Sequence, residues 1–260
     1  MSKLSQLDRS IQAKTALVTG AASGIGRAIV HLLVDEGAKV GLVDINEQGL
    51  QTLAKEIHSV GGEAFCVLAD CGDRAALQTA VVDIAEHFGA LDIVVNNAGL
   101  VLGSDINDPD QFEVSWQRSI DVMASAQQWS ILAALPYLTK AEHPRIVNIA
   151  SSEALGATAY NSAYVAAKHA SLGLTRAMAV DLGKQGITVN CVCPGPVRTA
   201  LTALIPEEDK TVYARRRTAL RRYAEPEEIA YAVLSLLAPS ASFITGAAIP
   251  VDGGLTIRNA

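Results

Sequence analysis

The chain has 260 residues, 50% of them hydrophobic and 18% charged, with a formal net charge of −6. That is enough for one large core, and the acidic balance argues against nucleic acid as a partner. No apolar run reaches the roughly 18 residues that a membrane span needs, and the opening MSKLSQLDRSIQ has no apolar leader segment, so a cytoplasmic protein with no membrane partner is expected.

Taken in chain order, short β-rich runs alternate with helical stretches. TALVT (15–19) leads into T-G-A-A-S-G-I-G, Thr19 to Gly26, and a helix over 24–36. Three glycines between a strand and a helix let the backbone turn sharply and approach a ligand, and the free N–H groups of a helix N-terminus suit a pyrophosphate. The spacing is G-x-x-x-G-x-G, so the loop is a moderate signal alone. KVGLVD (39–44) ends on Asp44, where a carboxylate can accept hydrogen bonds from the ribose hydroxyls of an adenine dinucleotide and repel a 2′-phosphate. No Arg or Lys lies in the glycine turn or just after Asp44, which favours NAD over NADP. Helix to about 59, strand AFCVLA (64–69), helix over 73–88 and strand LDIVVN (91–96) follow. Next come a long helical region over 109–138, strand RIVNIA (145–150), a helix over 159–183, strand ITVNCV (187–192) and strand AAIPV (247–251).

The strand runs are nearly continuous Val, Ile, Leu and Ala, as in strands buried on both faces of a parallel sheet. Strand and helix in alternation predict an α/β, Rossmann-type doubly wound fold: a mainly parallel seven-stranded sheet, helices on both faces, one domain over 1–260. Residues 199–225 break the rhythm and read as an insertion over the ligand site. Within it, Arg215, Arg216, Arg217, Arg221 and Arg222 fit either a solvated helix face or a clamp for an anionic substrate or carrier. Cys66, Cys71, Cys191 and Cys193 match no zinc spacing; no metal is expected, and the thiols read as reduced core residues.

In the helix after the fifth strand, Y-V-A-A-K (Tyr164 to Lys168) sets a phenol and an ammonium on one face. Ser151 closes the strand before it. Here the sequence resembles the short-chain dehydrogenase/reductase family over essentially its whole length. The match runs through the glycine turn, Asp70, N-N-A-G (Asn96 to Gly99), N-I-A-S (Asn148 to Ser151), Y-V-A-A-K, P-G-P-V-R-T (Pro194 to Thr199) and the C-terminal T-G…V-D-G-G. The resemblance implies Tyr164 as general acid/base, Ser151 bonding the same substrate oxygen, and Lys168 holding the nicotinamide ribose and lowering the tyrosine pKa. Bringing a phenol from ~10 to ~7.5 takes about 3 kcal/mol, which an ammonium ~4.5 Å away supplies at an effective dielectric of ~20. It further implies a cofactor site of Gly20, Ser23, Gly24, Ile25, Gly26, Asp44, Ile45, Asp70, Cys71, Asn97, Ala98, Gly99, Tyr164, Lys168, Pro194, Gly195, Val197 and Thr199.

One position departs. The family places an asparagine, holding a water of the proton relay, where this chain has Met123 in W-Q-R-S-I-D-V-M. A thioether accepts poorly and donates nothing. Three explanations compete: other waters carry the relay, Ser119 or Gln127 substitutes, or the chain binds cofactor without efficient turnover. Because Ser151, Tyr164 and Lys168 persist, an active enzyme is expected.

Position nominates Val101, Glu153, Leu155, Asn161, Leu201 and Leu204 as substrate contacts, with Leu100 and Leu102 beside them. These mostly aliphatic walls suit a hydrophobic alcohol or ketone. Glu153 and Asn161 are equally readable as contacts to a second polar group or as structural hydrogen bonds. The helices over 109–138 and 159–183 are expected to meet a second subunit, in a homotetramer or homodimer. The expected function is hydride transfer between NAD(H) and a secondary alcohol or ketone. The alternatives are a 3-oxoacyl-carrier-protein reductase, a hydroxysteroid dehydrogenase and, from another class, a non-catalytic NAD(H)-binding regulatory protein.

Overall fold

The structure is a computed structural model that describes residues 7–258; part of the N-terminal stretch read above lies outside it. Seven strands form one sheet: β1 (Thr15–Thr19), β2 (Lys39–Asp44), β3 (Ala64–Leu68), β4 (Ile93–Asn96), β5 (Arg145–Ile149), β6 (Thr188–Pro194) and β7 (Ala248–Val251). Their order is β3-β2-β1-β4-β5-β6-β7. Every pairing is parallel, so the expected mainly parallel sheet is wholly so. Among the described residues the helices are α1 (Gly24–Asp35), α2 (Glu47–Ser59), α3 (Arg74–Phe88), α4 (Pro109–Ile120), α5 (Ala126–Leu138), α6 (Ser162–Leu182), α7 (Glu207–Arg217) and α8 (Pro226–Leu237).

Continuous apolar strands need cover on both faces, and two core clusters provide it. Ile29, Leu33, Leu50, Leu53, Val233 and Leu237, from α1, α2 and α8, bury one face of the sheet. Leu77, Ile84, Ile131, Leu138, Ala179 and Leu182, from α3, α5 and α6, bury the other. The chain reverses its winding between β1 and β4. The turns leaving these two strands open a crevice at their C-terminal ends, the place where ligands bind in such sheets.

Three local features differ from the sequence reading. The helical region over 109–138 is interrupted by a π-helical segment, Asp121–Ser125. It inserts an extra residue per turn, and Met123 lies in it, fully buried. The helix expected from 159 begins at Ser162 instead, because Tyr160 has φ +59°. Its free Ala163 N–H is capped by the Ser104 hydroxyl, a contact across 59 residues. Finally, the 199–225 insertion is a closed excursion. Val197 and Ala224 pair at its base, and it carries a 3₁₀ turn (Ala200–Thr202) and α7.

The arginines of the insertion find ordinary places. Arg215, Arg216 and Arg217 form the last turn of α7 opposite Glu207, Glu208 and Asp209 in its first, an arrangement that complements the helix dipole. Arg222 pairs with Glu228. No described helix is long and apolar enough to cross a membrane.

Candidate active site

The glycine turn is built for close approach. Gly20 has φ +64°, a backbone state that L side chains rarely adopt, and a Cβ there would sit 2.8 Å from Ala98 Cα. At Gly26 a Cβ would come within 2.1 Å of the Gly20 carbonyl oxygen, so α1 can pack onto the turn only with glycine. Two bonds from Asn97 Nδ2, to the Thr19 and Gly20 carbonyls, stitch the turn after β4 to the turn after β1. The Thr19 hydroxyl accepts from the N–H groups of Asn97 and Ala98 in return. Ser23, the N-cap of α1, makes no side-chain cap bond, so the first N–H groups of α1 keep their capacity for a ligand.

Asp44 does not cap the helix that follows; Asn46 does, accepting from Gly49 N–H. Instead the Asp44 carboxylate accepts from Ala22 N–H and Asn46 N–H, each at 2.9 Å, which fixes it at the mouth of the glycine turn. Nearby, Asp70 accepts from Gly72 N–H and from Arg118. Burial opposes the net lowering of its pKa, which these bonds produce. Burial, with the Asp44 and Asp70 charges, pushes the Cys71 thiol up to about 12, which leaves it inert as a nucleophile.

A cavity of about 510 Å³ runs from Asp44 and Asp70, past the glycine turn, to Ser151, Tyr164 and Lys168. All the residues assigned to the cofactor from sequence line it except Gly26, which packs beneath the turn. A second, shallower hollow near Arg27 and Arg198 holds none of the reacting groups. Its cations are already paired, Arg27 with Glu56, and Arg198 and Lys210 with Glu207.

At the inner end, Lys168 Nζ donates to the Ile149 carbonyl at 2.8 Å and stands 5.6 Å from the Tyr164 ring centroid. Burial pushes the Lys168 ammonium down to about 8. Burial also raises the Tyr164 phenol, against the lowering effect of a hydrogen bond with Ser151; the Glu153 charge raises it further. The expected lowering of Tyr164 by Lys168 is therefore absent in the protein by itself. The ammonium bonds a backbone carbonyl and lies over the ring, and burial is the leading influence on both groups.

Comparison with known proteins bears on this arrangement. A family model described as enoyl-(acyl carrier protein) reductase matches residues 20–256. Cyclohexanol dehydrogenase of Acinetobacter sp. (strain SE19) is 36% identical over 246 residues, covering 94% of this chain and 96% of that protein. The chain belongs to the short-chain dehydrogenase/reductase family. It is an oxidoreductase. Among solved structures, carveol dehydrogenase from Mycobacterium avium in complex with NAD superposes with a TM-score of 0.90 at 28% identity, covering 96% of this chain and 100% of that one. A blue fluorescent protein from a metagenomic library, in complex with NADPH, gives 0.87 at 33%, covering 95% and 99%. Dinucleotides of both kinds thus occur in this short-chain dehydrogenase/reductase fold.

Where this family member departs from the usual pattern, the replacement is packed and dry. Met123 Sδ and Lys168 Nζ lie 3.7 and 3.8 Å from where a Gly99 Cβ would be. Met123 joins Val122, Ala167 and Tyr164 in a small apolar cluster. The two polar neighbours considered as substitutes are buried with atoms unpartnered, Ser119 Oγ and Gln127 Nε2. Gln127 also takes a bond from Ser171, one turn past Lys168 on α6.

The substrate residues divide. Val101 and Leu201 line the cavity, as does Leu100, whereas Glu153, Leu155, Asn161 and Leu204 do not. Leu204 points into solvent at 96% exposure and Leu155 is also exposed; both follow a 3₁₀ turn, Ala200–Thr202 and Ser152–Ala154. Asn161 caps the start of α6 by position, without a side-chain cap bond. Arg118, Val122 and Ile205 line the cavity and were not singled out from the sequence. Arg118 gave no local signal, since its partner Asp70 is 48 residues away.

Proposed function

We propose that this enzyme transfers a hydride between NAD(H) and a secondary alcohol, or its ketone, of largely hydrophobic character. One observation carries the reading: Ser151, Tyr164 and Lys168 converge at one end of a cavity whose other end is Asp44, with the glycine turn between. Bound NAD(H) supplies the hydride acceptor or donor. Gly20 and Gly26 let the turn approach it, and the uncapped N-terminus of α1 offers N–H groups to its pyrophosphate. Asp44 accepts from the ribose hydroxyls and disfavours a 2′-phosphate, which supports NAD over NADP.

Tyr164 passes the proton to or from the substrate oxygen, and Ser151 donates to the same oxygen. Ser151 Oγ is oriented for this because it already accepts from Glu153 N–H at 3.1 Å. Lys168 holds the nicotinamide ribose. When oxidised nicotinamide is bound, its positive charge would favour the phenolate of Tyr164. Leu100, Val101 and Leu201 offer an aliphatic wall.

The exposed arginines at the C-terminus of α7 favour one second reading, a reductase of acyl groups on an acidic carrier. The test is reduction of NAD⁺ and of NADP⁺ by purified protein over a panel of aliphatic, alicyclic and steroid secondary alcohols. Turnover with NAD⁺ is expected. Turnover only with NADPH and a carrier-linked ketone selects the second reading. Binding of NADH with no turnover on any of these overturns both.

A further inference from the structure

Glu153 carries a feature that the site described so far leaves unused. Its Oε1 accepts from the Thr158 hydroxyl at 2.6 Å, while its Oε2 is covered by protein and meets no donor. No described cation pairs with it. A carboxylate oxygen withdrawn from water without a partner is costly, and evolution of a plain structural contact gives no reason to keep it. Its place is equally specific. Glu153 follows Ser151 by two residues, and its own N–H is bonded to the Ser151 hydroxyl. Its charge acts on two phenols, Tyr164 at the reacting centre and Tyr213 on α7 of the insertion, raising each. It therefore stands close to the reacting hydroxyls and within electrostatic reach of the insertion.

We propose that Glu153 receives a second hydroxyl, or a comparable O–H or N–H donor, on the substrate, so that the substrate class is a diol or hydroxyketone rather than a simple alcohol or ketone. The terminal torsion of a glutamate is soft. Glu153 does not line the cavity as it stands, so a donor entering beside Tyr164 is met by rotation of the whole Glu153 side chain toward the cavity, which gives up the Thr158 bond. One carbinol carbon loses its hydride to the nicotinamide and its hydroxyl proton to Tyr164; the second hydroxyl is only held and leaves unchanged. A site with a charged acceptor waiting for a donor discriminates against an analogue that lacks one.

This inference rests on the dehydrogenase reading, and the experiment separates the two. Cyclohexanol and the cis and trans isomers of cyclohexane-1,2-diol are compared as substrates with NAD⁺, for the wild type, Glu153→Gln and Glu153→Leu. NADH binding by each variant checks that it is folded. Wild type is expected to favour one diol isomer over cyclohexanol in kcat/KM by about 10- to 100-fold, the range of a hydrogen bond to a charged acceptor. That ratio is expected to fall at least about tenfold in Glu153→Leu and less in Glu153→Gln, mainly through the diol KM. Oxidation of cyclohexanol with no diol preference, or a ratio that Glu153→Leu leaves unaltered, overturns the Glu153 inference and keeps the dehydrogenase. Oxidation of neither alcohol class overturns the dehydrogenase reading and the inference with it.

Discussion

Lys168 is a residue whose chemistry its surroundings alter. Burial holds it at about 8, below the ordinary lysine value, so the unfolded chain binds more protons than the folded one between about 8 and about 10.4. Stability from this group rises with pH through that window, and below it the buried charge is a cost. Lys168→Met removes the cost. Its melting temperature relative to wild type, without cofactor, is expected to be highest near neutral pH and to fall as pH approaches 10; a difference independent of pH contradicts this. Met123 and that ammonium both border Gly99. Met123→Asn puts a polar group into a closed apolar cluster, and the turnover rate is expected to change by no more than about tenfold, since Ser151, Tyr164 and Lys168 are already in place. A gain of several hundred-fold on steady-state assay would mean that the methionine blocks the chemistry. Ser151, Tyr164 and Lys168 were legible as candidates because motif and helical spacing both act locally. The direction of the Tyr164 shift was not: it follows from burial by distant elements, which no five-residue stretch records.

At the scale of elements, the turn between β1 and α1 is set by sterics. A Cβ at Gly26 would collide with the backbone oxygen of Gly20, which cannot give way as a side-chain end can. Gly26→Ala is expected to cost about 1–3 kcal/mol in denaturant unfolding and to weaken NADH binding in a fluorescence titration. Unchanged affinity would show that the turn does not shape the dinucleotide site. Strand positions were readable to within a residue or two, because parallel strands buried on both faces leave unbroken apolar runs. The start of α6 and the π segment were not. The first depends on the positive φ of Tyr160 and the hydroxyl of Ser104; the second accompanies the packing of α4 and of the π segment against α6 around Met123. Leu155 and Leu204 were misplaced by sequence order alone: it put them near the site, and both face solvent just past a 3₁₀ turn.

Across the whole molecule, topology followed from the alternation of elements, while the individual apolar side chains left exposed show only in three dimensions. Val114 and Trp116 on α4, Leu132 on α5 and Val180 on α6 are exposed apolar side chains. Such a surface fits a subunit interface, in keeping with the homotetramer or homodimer expected from these helices. Val180→Asp is expected to shift the mass found by light scattering to a smaller species; a wild type that is already monomeric contradicts the subunit interface. All of this serves one arrangement, a phenol held at the closed end of a dinucleotide cavity. The most direct test is kcat/KM for NAD⁺-dependent oxidation of cyclohexanol by wild type and Tyr164→Phe, with NADH affinity measured on the same preparations. Loss of at least about a hundredfold in turnover with NADH affinity retained is expected of a general acid/base. Equal turnover in the two proteins would contradict it.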